Sequence, residues 1–159
     1  MLEIRPVRPA DLASVQQLGY AYNLELDDKE TIREVVNLWI TNVVQRSQAG
    51  SHYFWLALVQ EQIIGFASFY TSSHPFTLKT SGMIQDFYII PEFRKQGYAH
   101  QLAMAVFQEL RHQGAQEIHL DVLKNNAVGL CFWQKFGFEV HHYAMSMTAS
   151  LLTADMDTL

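Results

Sequence analysis

Residues 82–114 constrain the fold more than any other stretch. Gly82–Ile90 is an apolar, β-prone run that Pro91 stops. Glu92-Phe93-Arg94-Lys95-Gln96-Gly97 comes next. An amphipathic helix, Tyr98–Gln113, follows with Leu102, Ala103, Val106, Phe107 and Leu110 inward and Gly114 at its close. A strand, a glycine-bearing loop and a helix in direct succession make an anion site. First-turn N–H groups lack intrahelical partners, and the helix dipole adds partial positive charge. Arg94 and Lys95 put full charges beside them, and Gly97 leaves the backbone approachable. A phosphate or pyrophosphate is the natural guest. The plainer reading is an ordinary helix start with solvated basic residues. A single glycine stands where G-x-G-x-x-G needs three, and no Gly-Lys-Ser/Thr follows for a P-loop.

The flanking segments predict a mixed α/β domain. Leu2–Val7 reads as a strand. Pro9 and Asp11 open a helix with Leu12, Val15, Leu18 and Tyr22 at helical spacing. Asp27 or Asp28 is expected to cap a second helix. Its apolar stripe is Ile32, Val35, Val36, Trp39, Ile40, Val43 and Val44, and Gly50 ends it. Tyr53–Val59 and Ile63–Tyr70 read as a hairpin around Gln60-Glu61-Gln62, with Thr71–Ser81 as a loop. Glu117–Leu123 reads as a strand and Ala127–Phe136 as a short helix closed by Gly137. Phe138–Thr148 reads as a final strand or hairpin. The expected order is β-α-α-β-β-β-α-β-α-β. No repeat or linker marks a boundary, so residues 1–150 are expected to be one domain and 151–159 a tail.

Composition narrows the function classes. Of 159 residues, 49% are hydrophobic, enough for a packed core, and the net charge is −5. An acidic chain argues against binding a nucleic-acid backbone. No apolar run approaches the ~18–20 residues of a membrane span, and the start has no apolar signal region. Cys131 is the one cysteine, so no internal disulfide forms, and a cytoplasmic location is expected. Seven histidines show no ligand spacing beside a carboxylate, so no metal is expected. His119 reads as a core histidine and Cys131 as a buried, inert thiol.

Arg94-Lys95-Gln96-Gly97-Tyr98-Ala99 resembles the R/Q-x-x-G-x-G/A motif of the GNAT superfamily of acyl-CoA N-acyltransferases, with Arg94, Gly97 and Ala99 at the defining positions. N-N-A-V-G-L-C-F-W-Q-K-F-G-F is similar to the family's N-x-x-A-x-x-x-Y-x-K-x-G-F. Asn126, Gly129, Trp133 and Lys135 take its Asn, Ala, Tyr and Lys positions. The opening I-R-P-V-R-P-A-D-L is similar to the family's first strand and helix. The resemblance implies a mixed, mostly antiparallel twisted sheet flanked by about four helices. It implies acetyl-CoA as co-substrate and an amine acceptor, on a small molecule (polyamines among them) or a peptide. Lys95, Gln96, Gly97, Tyr98, Ala99 and His100 would hold the coenzyme pyrophosphate. Tyr88 and Ile89 would border the thioester, with an Ile89 N–H facing the carbonyl oxygen, and Asn126, Gly129 and Trp133 would complete the coenzyme site. Homodimers are common in the family.

I-Q-D-F-Y-I-I-P-E-F-R is similar to the family's polyamine-acetylating branch, where Glu-Asp precedes paired aromatics. Gln85 takes the Glu position and cannot act as a base. Asp86 is the remaining carboxylate for the amine's proton; a salt-bridged or capping role is its plainer reading. Alternation sends Gln85 and Asp86 to opposite faces unless a bulge intervenes. Trp133 replaces the Tyr that commonly protonates the leaving thiolate, and an indole only donates hydrogen bonds. Tyr88 and Tyr143 are the stand-ins, and Trp133 otherwise packs. Asn126 either reaches the pantetheine arm or caps a helix. Tyr20, Tyr22, Tyr70 and Phe76, with Glu25, Asp27 and Asp28, predict a pocket for a cationic acceptor. An idle coenzyme A binding module acting through a partner, motivated by the missing Glu and Tyr, and a nucleotide-phosphate binder stay as alternatives.

Overall fold

The strands form where apolar residues alternate, and their pairing orders them. β1 (Leu2–Pro6), β2 (Tyr53–Val59), β3 (Gln62–Ser73), β4 (Thr80–Ile89) and β5 (Glu117–Leu120) make one sheet in the order β1-β2-β3-β4-β5. Neighbours from β1 to β4 are antiparallel, and β5 runs parallel to β4. The helices are α1 (Leu12–Leu26), α2 (Arg33–Gln48), α3 (Tyr98–His112) and α4 (Ala127–Gln134). This computed structural model describes residues 1–26 and 32–147. They fall into two compact units, Met1–Asp121 and a second that begins at Val122. Asp27 and Asp28, expected to cap α2, lie outside the described residues, as do Thr148 and the tail at 151–159.

Each sheet face of the first unit has its own helical cover. Phe54, Leu56, Phe66 and Tyr88 share a buried cluster with Val15 of α1 and Val36, Ile40, Val43 and Val44 of α2. Tyr53, Trp55 and Phe69 alternate to the other face, where Phe69 stacks on Tyr53 at 5.1 Å between centroids. α3 buries Leu102, Ala103, Val106 and Leu110, and a Cβ at Gly82 would meet Leu110. The tight α1 entry comes from Asp11. It accepts the Arg8 N–H at 2.7 Å and two Arg5 guanidinium N–H groups at 2.7 and 2.9 Å.

Three local expectations are corrected. The loop read over Thr71–Ser81 shrinks to 74–79, because Thr71–Ser73 pairs with Thr80–Gly82 and extends the hairpin. The α2 stripe is narrower, since Ile32 and Val35 are exposed. Residues 138–147 form no strand, and Val140, Tyr143, Met145 and Met147 are exposed. A strand needs a neighbour for its N–H and C=O groups, and no described strand pairs with this segment.

His52, between α2 and β2, carries a pH liability. It is 1% exposed, and neither ring nitrogen has a hydrogen-bond partner among the described residues. Its ring lies against Tyr70 at 5.2 Å between centroids. Burial first, then the Arg46 charge, lowers its pKa from 6.5 to about 4. Within that window the unfolded chain holds a proton that the fold does not, so stability falls as the pH drops through it. His52→Phe keeps the ring contact and removes both nitrogens. Denaturant titration on either side of the window is expected to show about 1–3 kcal/mol less acid-induced loss than in the unaltered chain.

Candidate active site

The site is set by an irregularity in β4. Ser68 pairs with Asp86, but the next pair is Phe69 with Ile84, so the register skips Gln85. A bulge of this kind puts residues two apart on opposite faces. Ile84 is buried on the α3 side with Phe69, whereas Asp86 and Tyr88 turn toward α1. Gln85 itself is exposed. The bulge thus aims the Asp86 carboxylate away from the Ile84 side and into the first unit's α1 face.

Asp86 is half-buried there. The Ser68 hydroxyl, 0% exposed, donates to Oδ2, and the Tyr22 hydroxyl donates to Oδ1 at 3.5 Å. Burial raises the Asp86 pKa, and the two hydroxyl donors pull it partly back. Burial and the Asp86 charge raise the Tyr22 pKa, so that hydroxyl stays a donor. The neighbouring contact mirrors this one. Tyr88 on β4 donates to Glu25 of α1 at 2.8 Å, and burial followed by that bond raises the Tyr88 pKa. The Tyr22 and Tyr88 rings sit 5.4 Å apart, with Phe66 edge-on to Tyr22 at 5.5 Å.

Arg94 ties this cluster to the loop. Its Nε donates to the Ile89 carbonyl at 2.7 Å, and Nη2 donates to both Glu25 oxygens at 2.9 and 2.7 Å. The basic spot expected at Arg94 and Lys95 is therefore half-committed, because the Arg94 charge faces the Glu25 carboxylate. What stands open is backbone. Lys95 has φ 60° and Gly97 φ 84°, the latter at the N-cap of α3. A Cβ on Gly97 would meet nothing within 4 Å. The Gln101 N–H returns to the Gly97 carbonyl at 3.1 Å. The N–H groups of Tyr98 and Ala99, in the first turn, have no intrahelical acceptor by position.

The edge of β4 opens beside the same residues. β5 pairs only from Ser81 with Glu117 to Ile84 with Leu120. From Gln85 to Ile89, β4 has β3 on one side and no paired strand on the other among the described residues. The Ile90 N–H turns to Ile64 of β3 at 2.9 Å. Strand geometry then points the Ile89 N–H and C=O to the open edge, where Arg94 takes the carbonyl.

The second unit holds the other motif residues. Asn126 caps α4, its side chain accepting the Gly129 N–H at 2.9 Å. A Cβ at Gly129 would press on the Asn126 amide at 2.6 Å, which explains the small residue there. Trp133 is buried against Phe132, Phe136 and Phe138, and Tyr143 is exposed. Cys131 corrects expectation: it is exposed, lying off the Gly129-Phe132-Trp133-Phe136 stripe that α4 covers. His119 is also exposed, with Nε2 3.5 Å from Glu117, because it falls on the outward side of β5.

Of the aromatics expected to wall a pocket, Tyr22 lines a cleft with Asp86. Tyr20 instead lies under the Arg33 guanidinium at 3.9 Å, Tyr70 covers His52, and Phe76 is exposed in the β3–β4 turn. Sequence reading passed over Ser68 as a contact of Asp86 and Trp39 as a cleft wall. For Ser68 the available signal is a lone serine inside the apolar run from Ile63 to Phe69. Among the described residues no cluster of His, Cys, Asp and Glu could hold a metal, and no helix could cross a membrane.

A mixed sheet that opens beside a glycine-capped helix sets an unpaired strand edge next to an anion-binding helix start. The chain matches the acetyltransferase (GNAT) family over residues 17–138 and belongs to it, a family of N-acetyltransferases that use acetyl-CoA. It is 23% identical over 142 residues to the Escherichia coli (strain K12) uncharacterized N-acetyltransferase YjgM, across 88% of this chain and 81% of that protein. The fold superposes on the PaiA N-acetyltransferase of Thermoplasma acidophilum, solved in complex with coenzyme A. The TM-score is 0.74 at 21% identity, over 91% of this chain and 93% of that one. A Trypanosoma brucei acetyltransferase gives a TM-score of 0.71 at 21% identity, over 93% and 99%. These two likenesses show the fold.

Proposed function

We propose that this chain acetylates a primary amine, of a small molecule or a peptide, by direct attack on acetyl-CoA, with Asp86 taking the amine's proton. The observation that carries this reading is the Asp86 carboxylate, half-buried, raised in pKa and held by Ser68 and Tyr22 beside the open edge of β4. An amine with pKa near ~10.4 is mostly protonated at neutral pH, so attack requires a base. A carboxylate that burial has made more basic suits that task better than a solvated one.

The loop fits the coenzyme's phosphates. Space stands open over Gly97, the α3 first turn offers N–H donors, and Lys95 adds a charge. When bound, the coenzyme supplies an acetyl group activated as a thioester. The Ile89 N–H, on the open edge, is the donor this chain offers to the acetyl oxygen. Asp86 takes the ammonium's proton, the neutral amine forms the amide bond as the C–S bond breaks, and its second N–H proton goes to the departing thiolate, so coenzyme A leaves as its thiol. A thiol with pKa near ~8.5 needs little help to leave, so no strong acid is required. Tyr88 is a poor one, its proton being given to Glu25.

Thiol release from acetyl-CoA across a panel of amines tests the reading, and amine-dependent release is expected. Tight coenzyme A binding with no release on any amine would make the chain a binding module instead. Gly97→Ala separates the loop from the base. A left-handed φ costs alanine about 1–2 kcal/mol, and the methyl group enters the space proposed for phosphate. Coenzyme A binding by calorimetry is expected to weaken about tenfold.

A further inference from the structure

Asp86 opens onto a cleft of about 280 Å³ between α1, α2 and β4. Its polar lining is Asp86 and Asn23; Tyr22, Leu26, Val35, Val36 and Trp39 make the rest. We propose that the acceptor is a primary amine with a single positive charge and an apolar alkyl or aryl substituent. Its ammonium sits at Asp86 and its substituent lies along the α1–α2 wall. This rests on the amine-acetylating reading above and narrows it.

Charge placement among the described residues favours a single ammonium over a polyamine. Asp86 is the only ionisable carboxylate or cation lining the cleft among the described residues. Glu25, one turn further along α1, is occupied by Arg94 and by the Tyr88 hydroxyl. A second ammonium lying against Val35, Val36 and Leu26 would meet no anion among the described residues, and burying an unpaired charge is costly. The aromatic walls favour a hydrocarbon. Tyr22 and Trp39, with ring centroids 6.3 Å apart, line the cleft together and give the substituent an apolar aromatic surface. A small, mostly apolar cleft with one orienting charge is the usual form of a site for such a molecule.

The test uses the full chain, acetyl-CoA and three amines: 2-phenylethylamine, n-hexylamine and spermidine. The kcat/KM values of 2-phenylethylamine and n-hexylamine are expected to exceed that of spermidine by at least about tenfold. Val35→Asp then adds a carboxylate to the wall. Val35 is 61% exposed in the first turn of α2, where an acidic residue suits the helix dipole, so the fold is expected to tolerate it. In that variant the preference should narrow at least about tenfold toward spermidine. Spermidine as the better substrate would overturn the inference and leave amine acetylation standing. So would a preference that Val35→Asp does not move, since the substituent would then lie elsewhere. Coenzyme binding without turnover of any amine would overturn both.

Discussion

Asp86→Asn is expected to cut kcat/KM by about 100-fold or more, the range for loss of a positioned general base, while coenzyme A affinity stays unchanged. Asparagine keeps the shape and still accepts from Ser68, but it cannot take a proton. The pH profile supplies the second signature. The active form is the carboxylate, and burial holds the Asp86 pKa above the ordinary carboxylate value of 3.8. Activity should therefore rise with pH along a limb displaced upward from that value, and the limb should vanish in the variant. Stability should move the opposite way. Between 3.8 and the raised folded value the fold keeps a proton that the unfolded chain has released, so stability declines as pH rises through that window. At neutral pH the buried charge is a cost that Asp86→Asn removes. A variant that loses turnover yet melts no earlier marks a residue retained for chemistry rather than for the fold. Should it melt earlier and keep its rate, Asp86 would be a structural carboxylate.

The readable and unreadable parts of this site divide along a physical line. The pyrophosphate loop and α3 follow from neighbours in sequence: Pro91 stops the strand, Gly97 takes a left-handed φ, and the apolar residues of α3 repeat at helical spacing. Such local signals survive without tertiary knowledge. The aim of Asp86 does not, because it depends on which residue of β3 pairs with which residue of β4. The sequence poses the question of a bulge near Gln85 and Asp86; only the pairing of Phe69 with Ile84 answers it. Arg94 shows the same limit. Its motif position is legible, but its partner Glu25 lies 69 residues away on α1. The segment after Phe138 errs in the other direction. Its β-prone residues read as a strand, yet among the described residues no strand of the sheet pairs with it.

Gly65→Ala is expected to be the most damaging single methyl group in the first unit. Gly65 of β3 faces Ile89 of β4 where the sheet begins to open. The register with β2 also shifts here, skipping Ile64, whose carbonyl holds the Ile90 N–H at 2.9 Å. An added Cβ would overlap the Tyr88 carbonyl oxygen and lie 2.5 Å from Ile89 Cδ1. The first obstacle is backbone, so no side-chain rotation relieves it, and β4 must move. Overpacking of this kind costs about 3 kcal/mol, or roughly 6–12 °C in Tm for a chain of this size. Gly82→Ala is the internal comparison. Its Cβ would meet only the Leu110 side chain, at 2.9 Å, which can shift, so less than about half that loss is expected. The damage should also reach the loop. The Ile89 carbonyl anchors the Arg94 Nε, and Arg94 in turn holds Glu25. Displacing Ile89 loosens the start of the loop, so coenzyme A binding measured below the melting range should weaken in Gly65→Ala and not in Gly82→Ala. Equal stability of the two variants would mean that β3 and β4 separate without cost at this point. The close approach of Gly65 would then not be what fixes the edge on which the Ile89 N–H is presented.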